Sequence, residues 1–195
     1  MAPGVDRVCR VWHPELPIVT DRLALRLFTM NDLADVWAYM RLPEVGRHML
    51  WAARDQDESR EALSRMVAEN GLEKDGDYLT LAVTREGTVI GHVELGLVST
   101  EHEQGEIGYV FHPAHQGRGF ATEATRVMLR LGFAEMSMHR IVGRCSARNL
   151  PSANLMTRLG MRKEAHFLDC RKVNGEWREE LIFAMLRREW STEHR

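Results

Sequence analysis

The segment Gln116-Gly117-Arg118-Gly119-Phe120-Ala121-Thr122-Glu123-Ala124 constrains this chain more than any other. It follows an alternating run, Ile107, Tyr109 and Phe111, and opens a proline-free segment, Phe120 to Met136, whose apolar residues cover much of a helix circumference. A strand thus feeds a buried helix through two glycines. Glycines let backbone N–H groups approach an anion closely, and the helix N-terminus adds a field worth roughly 0.3–1 kcal/mol, up to about 2 when partly buried. The turn is shaped to hold phosphate. A dinucleotide fingerprint would need glycine where Thr122 stands, and a P-loop would need Gly-Lys-Ser/Thr where no lysine is near. Neither pattern fits.

The chain around this turn reads as one domain, because 195 residues are too few for two ordinary ones. With 44% hydrophobic and 28% charged residues it can bury a core of its own. Residues 1–17, with four prolines and glycines and no period, read as an N-terminal arm, 18–190 as the folded domain and 191–195 as a tail. A net charge of -2 offers no field for nucleic acid or a membrane surface, so neither is expected as a partner. Only Lys74, Lys163 and Lys172 are lysines among 26 basic residues, so arginine by itself marks no site. Cys9, Cys145 and Cys170 are far apart and form no CxxC pair, which argues for reduced thiols and against structural zinc. No apolar leader opens the sequence, and a cytoplasmic location is expected.

Periodicity supplies the remaining elements. Leu23, Leu25 and Leu27 alternate as a first strand; Leu33, Val36, Trp37 and Met40 then trace a helix that starts at a Thr29/Asp32 capping box and ends before Pro43. A second helix is expected from about Asp57 with Gly71 as its left-handed stop, after a loop from Leu42 to Gln56 that carries Trp51. Leu79 to Val83 and Val89 to Leu97 form a hairpin across Glu86-Gly87. A strand through Ile107 to Phe111 follows, with Glu106 on the opposite face to Ile107. After the central helix come a strand from Ile141 to Ala147, a helix from Pro151 to Gly160, and two strands flanking Asn174-Gly175. This order implies an α/β mixed sheet with helices on its faces, and not a doubly wound one.

What remains for the turn, Gln-x-x-Gly-x-Ala from Gln116, resembles the pyrophosphate-binding signature of the GNAT superfamily of acyl-CoA-dependent N-acetyltransferases. Asn149-Leu150-Pro151-Ser152, closing on Leu159-Gly160-Met161, looks like that family's Asn-x-x-Ser helix. Glu106-Ile107-Gly108-Tyr109 and Asn174-Gly175-Glu176-Trp177-Arg178 are similar to the branch that contains ribosomal-protein N-terminal (Rim-type) acetyltransferases. The resemblance covers about Pro17 to Trp190 and implies a central, mostly antiparallel sheet of about seven strands flanked by about four helices.

It also implies a reaction. Acetyl-CoA, a co-substrate used without metal, would give its acetyl group directly to a primary amine, with no covalent enzyme intermediate. Gln116, Gly117, Arg118, Gly119, Phe120, Ala121 and Thr122 would hold the diphosphate, and the main chain at Val110 and Phe111 the acetyl carbonyl and pantetheine. Asn149 would bond the pantetheine amide, or simply cap its helix, and Ser152 would lie near the sulfur. Glu106 is the candidate general base, a solvated or arginine-paired carboxylate being the plainer reading, and Glu94 is the reserve. Many relatives place a tyrosine four residues beyond Ser152 to protonate the leaving thiolate; Met156 stands there and cannot. Trp51 is the candidate for the acceptor pocket, Trp37 reads as core, and His112 and His115 read as loop residues and not as metal ligands.

The branch points to a protein N-terminus as acceptor. Small amines such as aminoglycosides or polyamines are the alternative, a non-catalytic acyl-CoA sensor is the rival of another class, and an exposed C-terminal strand leaves room for a homodimer.

Overall fold

The computed structural model describes residues 11–49, 51–173 and 175–193, with side chains described through Trp190. Cys9, the arm before Val11, Asn174 of the last hairpin and the two terminal residues lie outside the described residues. The strands are β1 (Ile18–Val19), β2 (Ala24–Leu27), β3 (Tyr78–Arg85), β4 (Thr88–Ser99), β5 (Gln104–Phe111), β6 (Arg140–Ser146), β7 (Arg162–Val173) and β8 (Glu176–Leu186). The helices are α1 (Leu33–Met40), α2 (Pro43–Gly46), α3 (Gln56–Ala68), α4 (Phe120–Arg130), α5 (Leu150–Arg158) and α6 (Arg187–Glu193). All eight strands join one sheet in the order β1-β2-β3-β4-β5-β6-β8-β7. Each neighbouring pair is antiparallel except β5 with β6.

Alternation along the strands divides the apolar side chains between two faces. One face, with Leu25, Leu81, Val93, Leu95, Ile107 and Ile141, packs on α4 and α5 in the main core. On the other face, Val36, Tyr39, Met40 and Leu63 of α1 and α3 cover Ala82 and Val110 in a second cluster. Among the described residues no helix is long and apolar enough to cross a membrane.

Local chemistry sets the element ends. The Thr29 amide donates to the Asp32 carboxylate at 2.8 Å, and Arg26 pairs with Asp32 at 2.7 Å. Asp55 caps α3 by accepting from the Glu58 amide at 2.8 Å, while Glu58 accepts from the Asp55 amide at 2.9 Å. Gly71 does not stop that helix, which ends at Ala68. A Cβ at Gly71 would lie 2.5 Å from the His13 ring, and beside it Trp12 bridges to Leu72. Close approach of the N-terminal segment is what this glycine allows. Part of the expected Leu42–Gln56 loop is helical, since Pro43 opens α2 with its φ already set. The expected continuous helix to Met136 becomes a π turn over Leu131–Glu135, where the Met136 amide donates to Leu131 O at 3.0 Å. Widening there brings Gly132 against Ile141, 2.5 Å from where a Cβ would stand.

Candidate active site

The parallel pair is where the sheet opens. β5 and β6 are in register from Gln104 and Arg140 to Ile107 and Gly143, and there the pairing ends, although both strands run on. Beyond Ile107 the edge of β5 that faces β6 has no strand partner. A cavity of about 640 Å³ runs from this opening to the glycine turn. Its lining brings together Val110, Phe111, Gln116, Gly117, Gly119, Phe120, Ala121, Thr122, Asn149 and Ser152, with Tyr109 between them. Arg118 is not part of that wall.

Gly117 and Gly119 take φ values of 72° and 82°, left-handed conformations open to glycine at little cost. No atom lies within 4 Å of a Cβ built on Gly117, so the turn is open on that side. Glu123 is the residue whose amide first bonds back, to Gly119 O at 3.0 Å, and the amides before it have no helical acceptor. They are free to take an anion. Gln116 shapes the turn from within, its Nε2 donating to Phe111 O at 3.0 Å. Arg22 braces it from behind, with Nη1 donating to Arg118 O at 2.9 Å, Nη2 2.6 Å from the Glu123 carboxylate, and its guanidinium 4.7 Å over the Phe120 ring. Burial works against the Glu123 charge, but hydrogen bonds from Thr20 and Arg22 hold its carboxyl below the ordinary range. Sequence periodicity missed this brace because its partners lie a hundred residues apart.

On the other side of the opening, Asn149 caps α5, its Oδ1 accepting from the Ser152 amide at 3.2 Å. Its Nδ2 has no protein partner among the described residues. Ser152 is buried, with Oγ 2.8 Å from the Tyr109 hydroxyl. That hydroxyl also donates to Ser152 O at 3.2 Å, so it spans from β5 to α5 across the gap. Burial pushes the Tyr109 phenol up and the Cys145 thiol up to about 11, so both stay protonated at neutral pH. Met156 is buried, its Sδ 2.7 Å from where a Gly143 Cβ would stand; it fills space under β6 and lines neither cavity. Sequence alternation alone placed Tyr109 with the core, since nothing in it shows that the neighbouring strand turns away.

A second cavity of about 520 Å³ lies on the opposite face of the sheet. Glu94 faces Gly108 and Glu106 faces Gly96 across β4 and β5, so the two carboxylates are diagonal neighbours on one face. Arg144 Nε lies 3.3 Å from Glu106 Oε2, so the carboxylate is arginine-paired and half-buried. Burial still pushes the Glu106 carboxyl above the ordinary range, against the pull of Arg144. Glu94 is different: burial disfavours its charge, yet His92, 3.3 Å away, holds it below the ordinary range. His92 is in turn held by the Tyr39 hydroxyl at 2.9 Å.

Both cavities share Arg47, His48 and Met49, the residues that follow α2. Trp51 lines neither; its ring lies 4.4 Å under the Arg54 guanidinium and packs on the second core cluster. His112 accepts from the Ala114 amide at 3.1 Å and caps a short turn.

Residues 22–162 match the model of the acetyltransferase (GNAT) domain. The chain belongs to the GNAT acetyltransferase family. Among relatives of this GNAT protein, the uncharacterized N-acetyltransferase YnaD of Bacillus subtilis (strain 168) is 31% identical over 174 residues, 89% of this chain and 99% of YnaD. The [ribosomal protein uS5]-alanine N-acetyltransferase of Escherichia coli (strain K12) is 27% identical, with 91% of this chain and 94% of that protein covered. A crystal structure of a GNAT-family acetyltransferase from Bacillus anthracis superposes with a TM-score of 0.79 at 30% identity, over 89% of this chain and 99% of that one. This GNAT enzyme is therefore an acetyl-CoA-dependent N-acetyltransferase, and its fold is the expected one with an eighth strand and further short helices.

Proposed function

We propose that the enzyme acetylates the α-amino group at a protein N-terminus, with the coenzyme in the larger cavity and the acceptor in the smaller. The thioester supplies an activated acetyl group with a thiolate as leaving group. The open amides from Gly117 to Thr122 fit its diphosphate, and the Asn149 Nδ2 fits an amide carbonyl of its arm. The edge of β5 beyond Ile107, unpaired with β6, offers main-chain groups to the sheet opening, where charge would develop on the carbonyl oxygen.

The observation that carries this reading is Glu106: a half-buried carboxylate with a raised pKa, beside the opening and at the wall of a second cavity. An α-amino group with a pKa near 7.7–8.0 costs about 1 kcal/mol to deprotonate at pH 7, while a lysine near 10.4 costs about 4.6. A single carboxylate, acting directly or through water, matches the first demand better. Glu106 accepts the amine proton. The Ser152 and Tyr109 hydroxyls, joined at 2.8 Å in the wall of the larger cavity, would serve as proton donors to the thiolate. The E. coli relative's action on a ribosomal-protein alanine supports the same acceptor class.

Mass spectrometry of N-terminal peptides, lysine side chains and polyamines incubated with enzyme and acetyl-CoA tests this. Acetylation at peptide α-amines is expected; product on polyamines alone would sink the proposal.

A further inference from the structure

Two glycines make room on the face of the sheet that carries Glu106. Glu94 on β4 pairs with Gly108 on β5, and Gly96 pairs with Glu106. Glu94 Oε2 lies 2.8 Å from where a Gly108 Cβ would stand, so its carboxylate reaches across onto β5. Gly108 is the first β5 residue beyond the last pair with β6, Ile107 with Gly143. The Glu94 carboxylate therefore stands at the sheet opening itself, whereas Glu106 is still level with Val142 in the paired part. Both line the smaller cavity. Diagonal neighbours are roughly 7–8 Å apart at the backbone, within reach of long side chains, so one small group can touch both carboxylates.

What stands behind Glu94 differs from what stands behind Glu106. Tyr39 and His92 are buried, with the Tyr39 hydroxyl 2.9 Å from His92 Nδ1 and His92 Nε2 3.3 Å from Glu94 Oε1. Burial keeps the Tyr39 phenol protonated. Among the described residues Nδ1 is the only hydrogen-bond partner of that hydroxyl, so the hydroxyl donates to it and Nε2 carries the hydrogen directed at Glu94. Both donors run one way and fix the carboxylate as an acceptor. No arginine or lysine among the described residues pairs with Glu94, while Arg144 pairs with Glu106. Burial works against the Glu94 charge, yet His92 holds its carboxyl below the ordinary range, and burial lifts that of Glu106 above it. Neighbouring carboxylates driven apart in this way suit different tasks: the fixed charge attracts a cation, and the other takes up a proton.

We infer that Glu94 anchors the ammonium group of the acceptor at the sheet opening, with His92 and Tyr39 as its positioning residues, and that Glu106 then removes a proton. The inference rests on the smaller cavity as the acceptor's site and on Glu106 as base, and it adds a second residue to that site. One N–H proton passes to the Glu106 carboxylate, and the freed lone pair forms the N–C bond at the acetyl carbon. The C–S bond then breaks, and a second proton from the nitrogen neutralises the departing thiolate. Glu94 stays ionised throughout and holds the nitrogen in line. An ion pair made equally before and during the reaction lowers KM and leaves kcat alone.

The test measures kcat and KM for an alanine-initiated hexapeptide at saturating acetyl-CoA. Glu94→Gln should raise the peptide KM about 10–30-fold with kcat within about threefold, whereas Glu106→Gln should act through kcat. Tyr39→Phe removes the hydroxyl that sets the imidazole, and Gly108→Ala leaves the Glu94 carboxylate intact but displaces it. Each should raise the peptide KM by about threefold or more and leave KM for acetyl-CoA unchanged, a split that a merely structural role would not produce. An unchanged peptide KM in Glu94→Gln, with Glu106→Gln still losing kcat, overturns the inference and leaves the proposed function standing. A fall in kcat in Glu94→Gln that exceeds the rise in KM makes Glu94 the base and overturns it as well. Full activity in both variants overturns the reading of the smaller cavity itself.

Discussion

Glu106, the base we propose, takes its proton affinity from its placement. Burial raises its pKa against the pull of Arg144 at 3.3 Å, which makes it a better proton acceptor than a solvated glutamate. Because the shift is upward, the acidic limb of the kcat/KM profile should lie above the ordinary glutamate range. Glu106→Gln should lower kcat/KM by about 10²–10⁴-fold and erase that limb, with acetyl-CoA binding by calorimetry retained. Tyr109→Phe removes the hydroxyl that spans the opening; we expect a loss of about 1 kcal/mol in denaturant unfolding and a lower kcat with KM for acetyl-CoA little changed. At this scale the sequence was partly legible. Glu106, Asn149 and Ser152 could be picked out by motif, whereas Tyr109, His92 and Tyr39 could not. Their chemistry comes from neighbours contributed by distant segments.

The glycine turn draws its shape from three elements. Two left-handed glycines free the amides, α4 adds its dipole, and the Thr20 and Arg22 contacts to Glu123 tie the turn to the segment before β2. Glu123 has a depressed pKa, so its contribution is complete above its unfolded pKa of about 4.3 and is lost as pH falls through the folded value. Glu123→Gln should therefore cost about 1–2 kcal/mol at pH 7 in urea unfolding, a figure discounted because Arg22 is half exposed, and the gap to wild type should close below pH 4. Gly91 on β4 is the other sensitive point. A Cβ there would stand 2.4 Å from Val110 O and 2.9 Å from the Phe111 Cα, backbone that cannot swing aside. Gly91→Ala should cost about 1–3 kcal/mol and raise KM for acetyl-CoA, since relief of the clash displaces Val110 and Phe111 in the wall of the larger cavity, the proposed coenzyme site.

The whole molecule is one sheet with cores on both faces and an opening between its parallel strands. Saturating coenzyme should stabilise it as a unit: at a hundred times Kd, acetyl-CoA should add about 2.7 kcal/mol to unfolding, read as a rise in Tm, and desulfo-coenzyme A should do nearly as well. Strand alternation, the glycine turn and the capping residues are local codes, written in residues a few positions apart, so the sequence alone determined the element order, the mixed sheet and the strand–turn–helix around the two glycines. The Pro43 helix and the π turn at Gly132 escaped it, because four residues carry little periodicity and a widened turn answers to the Ile141 side chain pressing from another strand. Where β5 and β6 part, which carboxylate is buried, and what stands behind Glu94 were settled only by tertiary structure. Those properties depend on distances between segments far apart in the chain, and electrostatic energy follows distance and burial, neither of which sequence spacing encodes.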